Sequence, residues 1–280
     1  MNMNRLDVDE RPGVSVGLEH LSLREEPLSV FVEAAAAGGA ETVCLSVAHP
    51  GVHDRRVLRE TLSQLDALNL SVAMGDGFLL APEEGLDGLR RKLDVLAELG
   101  APLANTCAFE PDAGLRRGPG HIEDLLGEFC QVARTAQVDV LIEFTPLSHV
   151  PSLAAAVELV ERLDQPNLRI LVDTLHLARA GEGPDDVRNV DRRLFGYCQL
   201  SDGPRVSESL SAYLDEAVNE RAIPGDGEFP LGEVLSFLPR GITVSAEVPL
   251  RGLKQAGISP KERARRILDG SRRLVARAWM

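Results

Sequence analysis

Four polar residues stand late in otherwise apolar runs of this 280-residue chain. They are Glu143 in Val138-Asp139-Val140-Leu141-Ile142-Glu143-Phe144, Asp173 in Leu168-Arg169-Ile170-Leu171-Val172-Asp173, Gln199 in Phe195-Gly196-Tyr197-Cys198-Gln199-Leu200, and Glu247 in Ile242-Thr243-Val244-Ser245-Ala246-Glu247-Val248. If these runs are neighbouring strands, all four side chains sit at one rim. A single carboxylate at a strand end is ordinarily an exposed loop residue or half of an ion pair. Four together are different, because a buried carboxylate without a counter-charge is costly. The runs hold one basic residue, Arg169, at the wrong end of its strand. A divalent cation satisfies three carboxylates and an amide oxygen at once, so Glu143, Asp173, Gln199 and Glu247 are the expected metal ligands. Oxygen ligands favour Mn2+ or Mg2+ over a structural zinc, with Co2+ and Zn2+ as the alternatives. Coordination positions left open suit adjacent hydroxyl or carbonyl oxygens of a small, hydroxyl-rich substrate.

The elements that must position these residues follow from the alternation of short apolar runs with segments of helical period, the pattern of a parallel sheet with crossover helices. Strands are expected at Val14–Leu18, Thr42–Val47, Leu70–Met74, Leu103–Ala108, Val138–Phe144, Leu168–Asp173, Leu194–Leu200 and Ile242–Val248. Leu153, Ala156, Val157, Val160 and Leu163 share one helical face, as do Ile122, Leu125, Leu126, Phe129, Val132 and Ala133. The last helix opens on Ser259-Pro260, a capping serine with proline in the first turn, and presents Ala264, Ile267, Leu268, Leu274 and Val275. Eight such units close a single (β/α)8 TIM barrel spanning residues 13–280, behind a disordered tail of residues 1–12. One stretch breaks the regularity. Ser201 to Phe229 is rich in Gly, Pro, Ser and charge, and belongs at the C-terminal mouth, where barrels build active sites.

Composition excludes several partners. A formal charge of −13 repels the phosphates of nucleic acid. No apolar run is long enough for a membrane span, and the N-terminus lacks the apolar segment of a secretion signal. The four scattered cysteines, Cys44, Cys107, Cys130 and Cys198, form no CxxC pair, which points to buried structural thiols and a cytoplasmic home. At 4% aromatic residues, the chain offers few stacking platforms for a polysaccharide. His20 and His49, near the ends of the first two strands, are placed to reach the mouth and bind substrate, although an ordinary loop role is the simpler alternative for each. His53 and His149 fit helix-approach loops, and His121 a helix start. Gly225-Asp226-Gly227-Glu228 reads as a turn whose acids would repel a phosphate, which favours a non-phosphorylated substrate.

The runs LIEFTP, LVDTLHLARAG, YCQLSDGP, RAIPGDGEFPL and VSAEVP resemble the xylose isomerase-like barrel family of sugar isomerases and epimerases, from about Val14 onward. The resemblance implies that Glu143, Asp173 and Glu247 are the family's carboxylate ligands, with Gln199 where His is common. The amide departs from the ketose-epimerase pattern and is similar to certain dehydroshikimate dehydratases. It also implies that His176 binds a substrate hydroxyl and that Arg205 contacts substrate. Endonuclease IV, a more distant member with a His-rich three-metal site, is excluded by the acidic charge and the six histidines.

By the same resemblance, Glu143 and Glu247 are the expected catalytic pair of an isomerase or epimerase, moving a proton next to the carbonyl of a small ketose or cyclic polyol ketone. A metal-dependent lyase acting on an inosose or 3-dehydroshikimate is the alternative, with His176 as the candidate acid. A non-catalytic metal-binding subunit is a third reading, opposed by the intact acid set. If the Ser201–Phe229 segment covers a neighbour's mouth, the assembly is a homodimer or homotetramer.

Overall fold

A computed structural model describes residues 15–280; the expected tail and Val14 lie outside them. Eight strands, β1 (Val16–Glu19), β2 (Thr42–Ser46), β3 (Ser71–Leu79), β4 (Leu103–Cys107), β5 (Asp139–Glu143), β6 (Leu168–Asp173), β7 (Phe195–Leu200) and β8 (Thr243–Ala246), pair parallel in chain order. β8 pairs back onto β1 through Val16↔Val244, which closes the barrel. The helices are α1 (Leu28–Ala37), α2 (Pro50–His53), α3 (Arg55–Ala67), α4 (Gly85–Leu99), α5 (Glu123–Thr135) and α6 (Leu153–Leu163), then α7 (Thr174–Arg179), α8 (Pro184–Arg188), α9 (Leu210–Asn219), α10 (Leu231–Phe237), α11 (Arg251–Gln255) and α12 (Pro260–Trp279). Among the described residues, no helix is long and apolar enough to cross a membrane.

Amphipathic spacing places the helices on the barrel. α6 buries Leu153, Ala156, Leu159 and Val160, with Val157 and Leu163 packed at the edge of the core. α12 buries Ala264, Ile267, Leu268 and Val275, and Ser259 Oγ caps it by accepting the Glu262 N–H at 3.3 Å. Cys44, Ala73, Met74, Leu141, Leu171 and Tyr197, drawn from five strands, form a separate apolar cluster beneath the site.

Two features differ from the sequence expectation. β3 runs on to Leu79, because Gly75-Asp76-Gly77 inserts one extra residue against β4, between the pairs Gly75↔Ala104 and Phe78↔Thr106. Gly77 takes φ +101°, a left-handed value that a side chain would resist. Such bulges re-aim side chains beside active sites, and here Asp76 is delivered to the mouth. The Ser201–Phe229 stretch is not merely a loop: it contains α9, capped by Ser209. The signal was present in Leu210, Tyr213, Leu214, Ala217 and Val218, one helical face hidden among turn-forming neighbours.

Candidate active site

The register of the barrel brings the four expected ligands to one rim. Asp173, the last residue of β6, is the direct partner of Gln199, the last but one of β7, and Glu143 closes β5 opposite Cys107. Glu247 follows β8, with its N–H donated to Leu200 O at 3.0 Å. Asp173 is fully buried, and Gln199 and Glu247 nearly so. Gln199 Nε2 donates to Glu247 Oε1 at 3.2 Å, and Gln199 Oε1 is buried with no hydrogen-bond partner among the described residues.

A residue that strand reading could not supply completes the cluster. Arg221, at 4% exposure, reaches in from the β7–β8 connection. Its Nη1 lies 2.8 Å from Asp173 Oδ2 and its Nη2 2.9 Å from Glu247 Oε2. Its Nε donates to Ala217 O at 3.0 Å, the carbonyl one helical turn earlier. Arg205, the arginine expected from the resemblance, is instead exposed on the surface; its own N–H is tied to Glu228. Arg221, which lies beyond α9, is the arginine that meets the carboxylates. Arg169 bonds Pro166 O and Leu168 O at the far end of β6.

His176, at the start of α7, points Nε2 toward Glu143 Oε1 at 3.3 Å and Asp173 Oδ2 at 3.5 Å. Glu143, Asp173 and His176 therefore form a second possible ligand trio, with donor atoms within 4.8 Å of one another. Asn105 donates through Nδ2 to Glu143 Oε2 at 2.7 Å and to Asp76 Oδ1 at 3.1 Å, linking the bulge to the centre. Beside Glu247 opens a cavity of about 210 Å³, lined by Glu19, His20, Ser46, His49 and Asp76 among others. The two histidines expected near the mouth thus lie on this wall. Glu19, Asp76, Asn105, Tyr213 and Arg221 were not singled out in the sequence. Of these, Glu19, a carboxylate ending an apolar run, carried the same signal as the four expected ligands.

Electrostatics separate the acids. Burial pushes Glu19 up to about 7, against the hydrogen bond that the Tyr197 hydroxyl donates to Glu19 Oε1 at 2.8 Å. Burial and the nearby Glu143 push Asp76 to about 6. Burial acts on Asp173 too, but Arg221, His176 and the Leu175 N–H outweigh it and hold Asp173 below its usual range. Glu247 shares the same guanidinium and is raised, because burial and the neighbouring acids exceed what Arg221 returns. Burial pushes Cys130 up to about 12, and the other three thiols also rise, so none is poised as a thiolate.

Glu19 yields a test of sign. Its folded value lies above the ordinary 4.5, so its favourable contribution is complete below that pH and is lost as the pH rises toward about 7. Glu19→Gln removes this dependence. In urea melts of the metal-free protein, the variant is expected to gain on the order of 3 kcal/mol relative to wild type between pH 4 and pH 8. A pH-independent difference would overturn the assignment.

The donor set fits a divalent ion. When ionised, Glu143, Asp173 and Glu247 leave two negative charges after Arg221 is counted, and Gln199 supplies an unsatisfied buried oxygen. Both features are what a hard divalent cation meets.

The family model of the xylose isomerase-like TIM barrel matches residues 21–274, and the chain belongs to that family. It is 24% identical over 159 residues to 3-dehydroshikimate dehydratase from Pseudomonas putida, a match covering 55% of this chain and 24% of that one. The chain thus spans about a quarter of the length of the curated relatives it matches. Among solved structures, the IOLI protein with a bound zinc atom superposes with a TM-score of 0.79 at 16% identity, covering 94% of this chain and 98% of that one. D-psicose 3-epimerase from Clostridium cellulolyticum H10 gives 0.73 at 15% identity, covering 94% and 99%. At these identities the superpositions speak for the fold.

Proposed function

We propose that the protein is a divalent-metal-dependent enzyme that removes a proton next to the carbonyl of a small polyhydroxylated ketone and resolves the resulting charge by loss of water. The observation that carries the metal dependence is the unpartnered Gln199 oxygen among three carboxylates. Mn2+ or Mg2+ suits these ligands, and the bound ion supplies Lewis-acid polarisation of the substrate carbonyl.

The protein groups divide the proton work. Glu247 borders the cavity, which suits a general base acting at the carbon next to the carbonyl. His176 Nε2, facing Glu143 and Asp173, is the proton donor to the departing hydroxyl. One proton leaves carbon, one joins the hydroxyl, and water departs. Arg221 holds Glu247 and Asp173 in place. His20 and His49 are the substrate-hydroxyl contacts on the opposite wall.

Elimination is favoured over epimerisation by the amide at Gln199 together with the dehydratase relatives. The epimerase reading keeps one specific support: Glu143 on β5 and Glu247 after β8 approach the mouth from different sides, the arrangement that returns a proton to the opposite face.

The deciding experiment incubates the Mn2+-loaded protein in D2O with ketoses, an inosose and 3-dehydroshikimate, read by NMR. Loss of water from one substrate supports the proposal. Deuterium gained next to the carbonyl without water loss moves the assignment to isomerase or epimerase. EDTA is expected to abolish turnover and Mn2+ to restore it; turnover that persists after chelation, with no metal by elemental analysis, refutes the metal dependence.

A further inference from the structure

The β7–β8 connection brings a second residue to the centre besides Arg221. Tyr213, on α9, is 3% exposed, and its hydroxyl lies 2.7 Å from His176 Nδ1 and 2.6 Å from Thr145 Oγ1. We propose that Tyr213 is a positioning residue that fixes His176 with its proton on Nε2, so that the ring serves as a hydrogen-bond and proton donor and stays out of the metal's ligand set.

The hydrogen count of the chain decides the tautomer. Thr145 is itself 3% exposed, and its Oγ1 accepts the Leu147 N–H at 3.3 Å. Among the described residues, its only other hydrogen-bond neighbour is Tyr213. If Tyr213 donated to Thr145, the threonine hydrogen would be buried with nothing to receive it, a desolvation penalty that folded proteins avoid. Thr145 therefore donates to Tyr213, Tyr213 donates to His176 Nδ1, and the imidazole proton resides on Nε2. The other side of the ring agrees. Nε2 faces Glu143 Oε1 and Asp173 Oδ2, two acceptors that call for a donor between them.

A nitrogen that carries a proton has no lone pair for a cation. A cation on Nε2 would have to displace that proton, which would then have to sit on Nδ1 against the Tyr213 hydroxyl, so the trio of Glu143, Asp173 and His176 is disfavoured although its distances allow it. Glu143, Asp173, Gln199 and Glu247 remain.

The helix that carries Tyr213 is anchored for this purpose. Arg179 grips Glu216 at 2.9 and 2.6 Å, Arg251 grips Asp215 at 2.7 Å through both oxygens, and Arg24 donates to Asn219 at 2.8 Å. These ties come from three different parts of the barrel. Leu147, Leu175 and Ala217 pack with Tyr213 beneath them.

The catalytic consequence rests on the proposed reaction, but the tautomer does not, and the first test is made on the metal-free full-length protein. Long-range proton–nitrogen NMR with 15N-labelled histidine, at mildly alkaline pH, is compared with His176→Gln to assign the ring. Wild type is expected to show Nδ1 unprotonated and Nε2 protonated. Tyr213→Phe is expected to give a mixture of the two tautomers. A protonated Nδ1 in wild type overturns the proposal, and that spectrum decides even if the variant fails to fold. With Zn2+ bound, the same spectrum should still show a protonated Nε2 on His176; loss of that proton on metal binding would make His176 a ligand and also overturn it. If the reaction is as proposed, Tyr213→Phe lowers kcat about tenfold or more with KM little changed, the size of effect seen when a partner orienting a histidine is lost. A fall confined to KM would refute the positioning role. Absence of turnover in wild type would count against the reaction alone.

Discussion

Arg221→Met is expected to destabilise the metal-free protein strongly, and added Mn2+ is expected to recover much of the loss. The guanidinium is the counter-charge for two buried carboxylates, Asp173 and Glu247, at 2.8 and 2.9 Å. Methionine fills part of the volume but leaves both acids without a cation. Breaking a buried pair by removing one partner costs about 3–5 kcal/mol. In a chain of this size, that is a fall in Tm on the order of 10 °C. A divalent ion among the same acids restores the missing positive charge, so metal should raise the Tm of the variant more than that of wild type. Calorimetry with and without Mn2+ measures both shifts. Equal metal-induced shifts in the two proteins would show that Arg221 and the ion do not act on the same carboxylates.

Asp173→Asn should have the larger effect on turnover. Asp173 is fully buried, accepts the Leu175 N–H at 2.7 Å and meets Arg221 on its other oxygen. Asparagine keeps the shape and can still accept from Leu175, so the barrel should fold. It removes one negative charge from the cluster and one anionic ligand. Metal content is expected to fall well below one per chain, and kcat/KM by about 10^3 or more, the scale on which lost electrostatic stabilisation is felt in a dry site. Elemental analysis after gel filtration and steady-state assays check the two parts. Full metal occupancy with unimpaired turnover would remove Asp173 from the centre.

Both variants probe the boundary between what strands carry and what a connection delivers. Glu143, Asp173, Gln199 and Glu247 were legible because each interrupts an apolar run, and a parallel sheet places such interruptions at one edge. The counter-charge was not legible. Arg221 lies 22 residues beyond Gln199, in a segment whose Gly, Pro and Ser content resembles a loop. Arg205, matched by resemblance as a substrate contact, is exposed. Asp76 was obscured in a similar way, because a one-residue bulge is a matter of pairing between strands and leaves only a Gly-Asp-Gly trace in the chain.

By itself, the sequence determined the eight-unit barrel, the helices that cover it and the rim where four polar side chains gather. Hydrophobic periodicity and strand-end position are local properties, and each residue carries its share of them. The tertiary structure decided which basic residue faces the acids and which imidazole nitrogen faces Tyr213. Those outcomes depend on where a long connection folds back, and on hydrogen-bond partners as distant in the chain as Thr145 and Tyr213. Burial raises both acids: at Asp173 the charges of Arg221 and His176 and the Leu175 N–H outweigh it, whereas at Glu247 burial and the neighbouring acids prevail over Arg221.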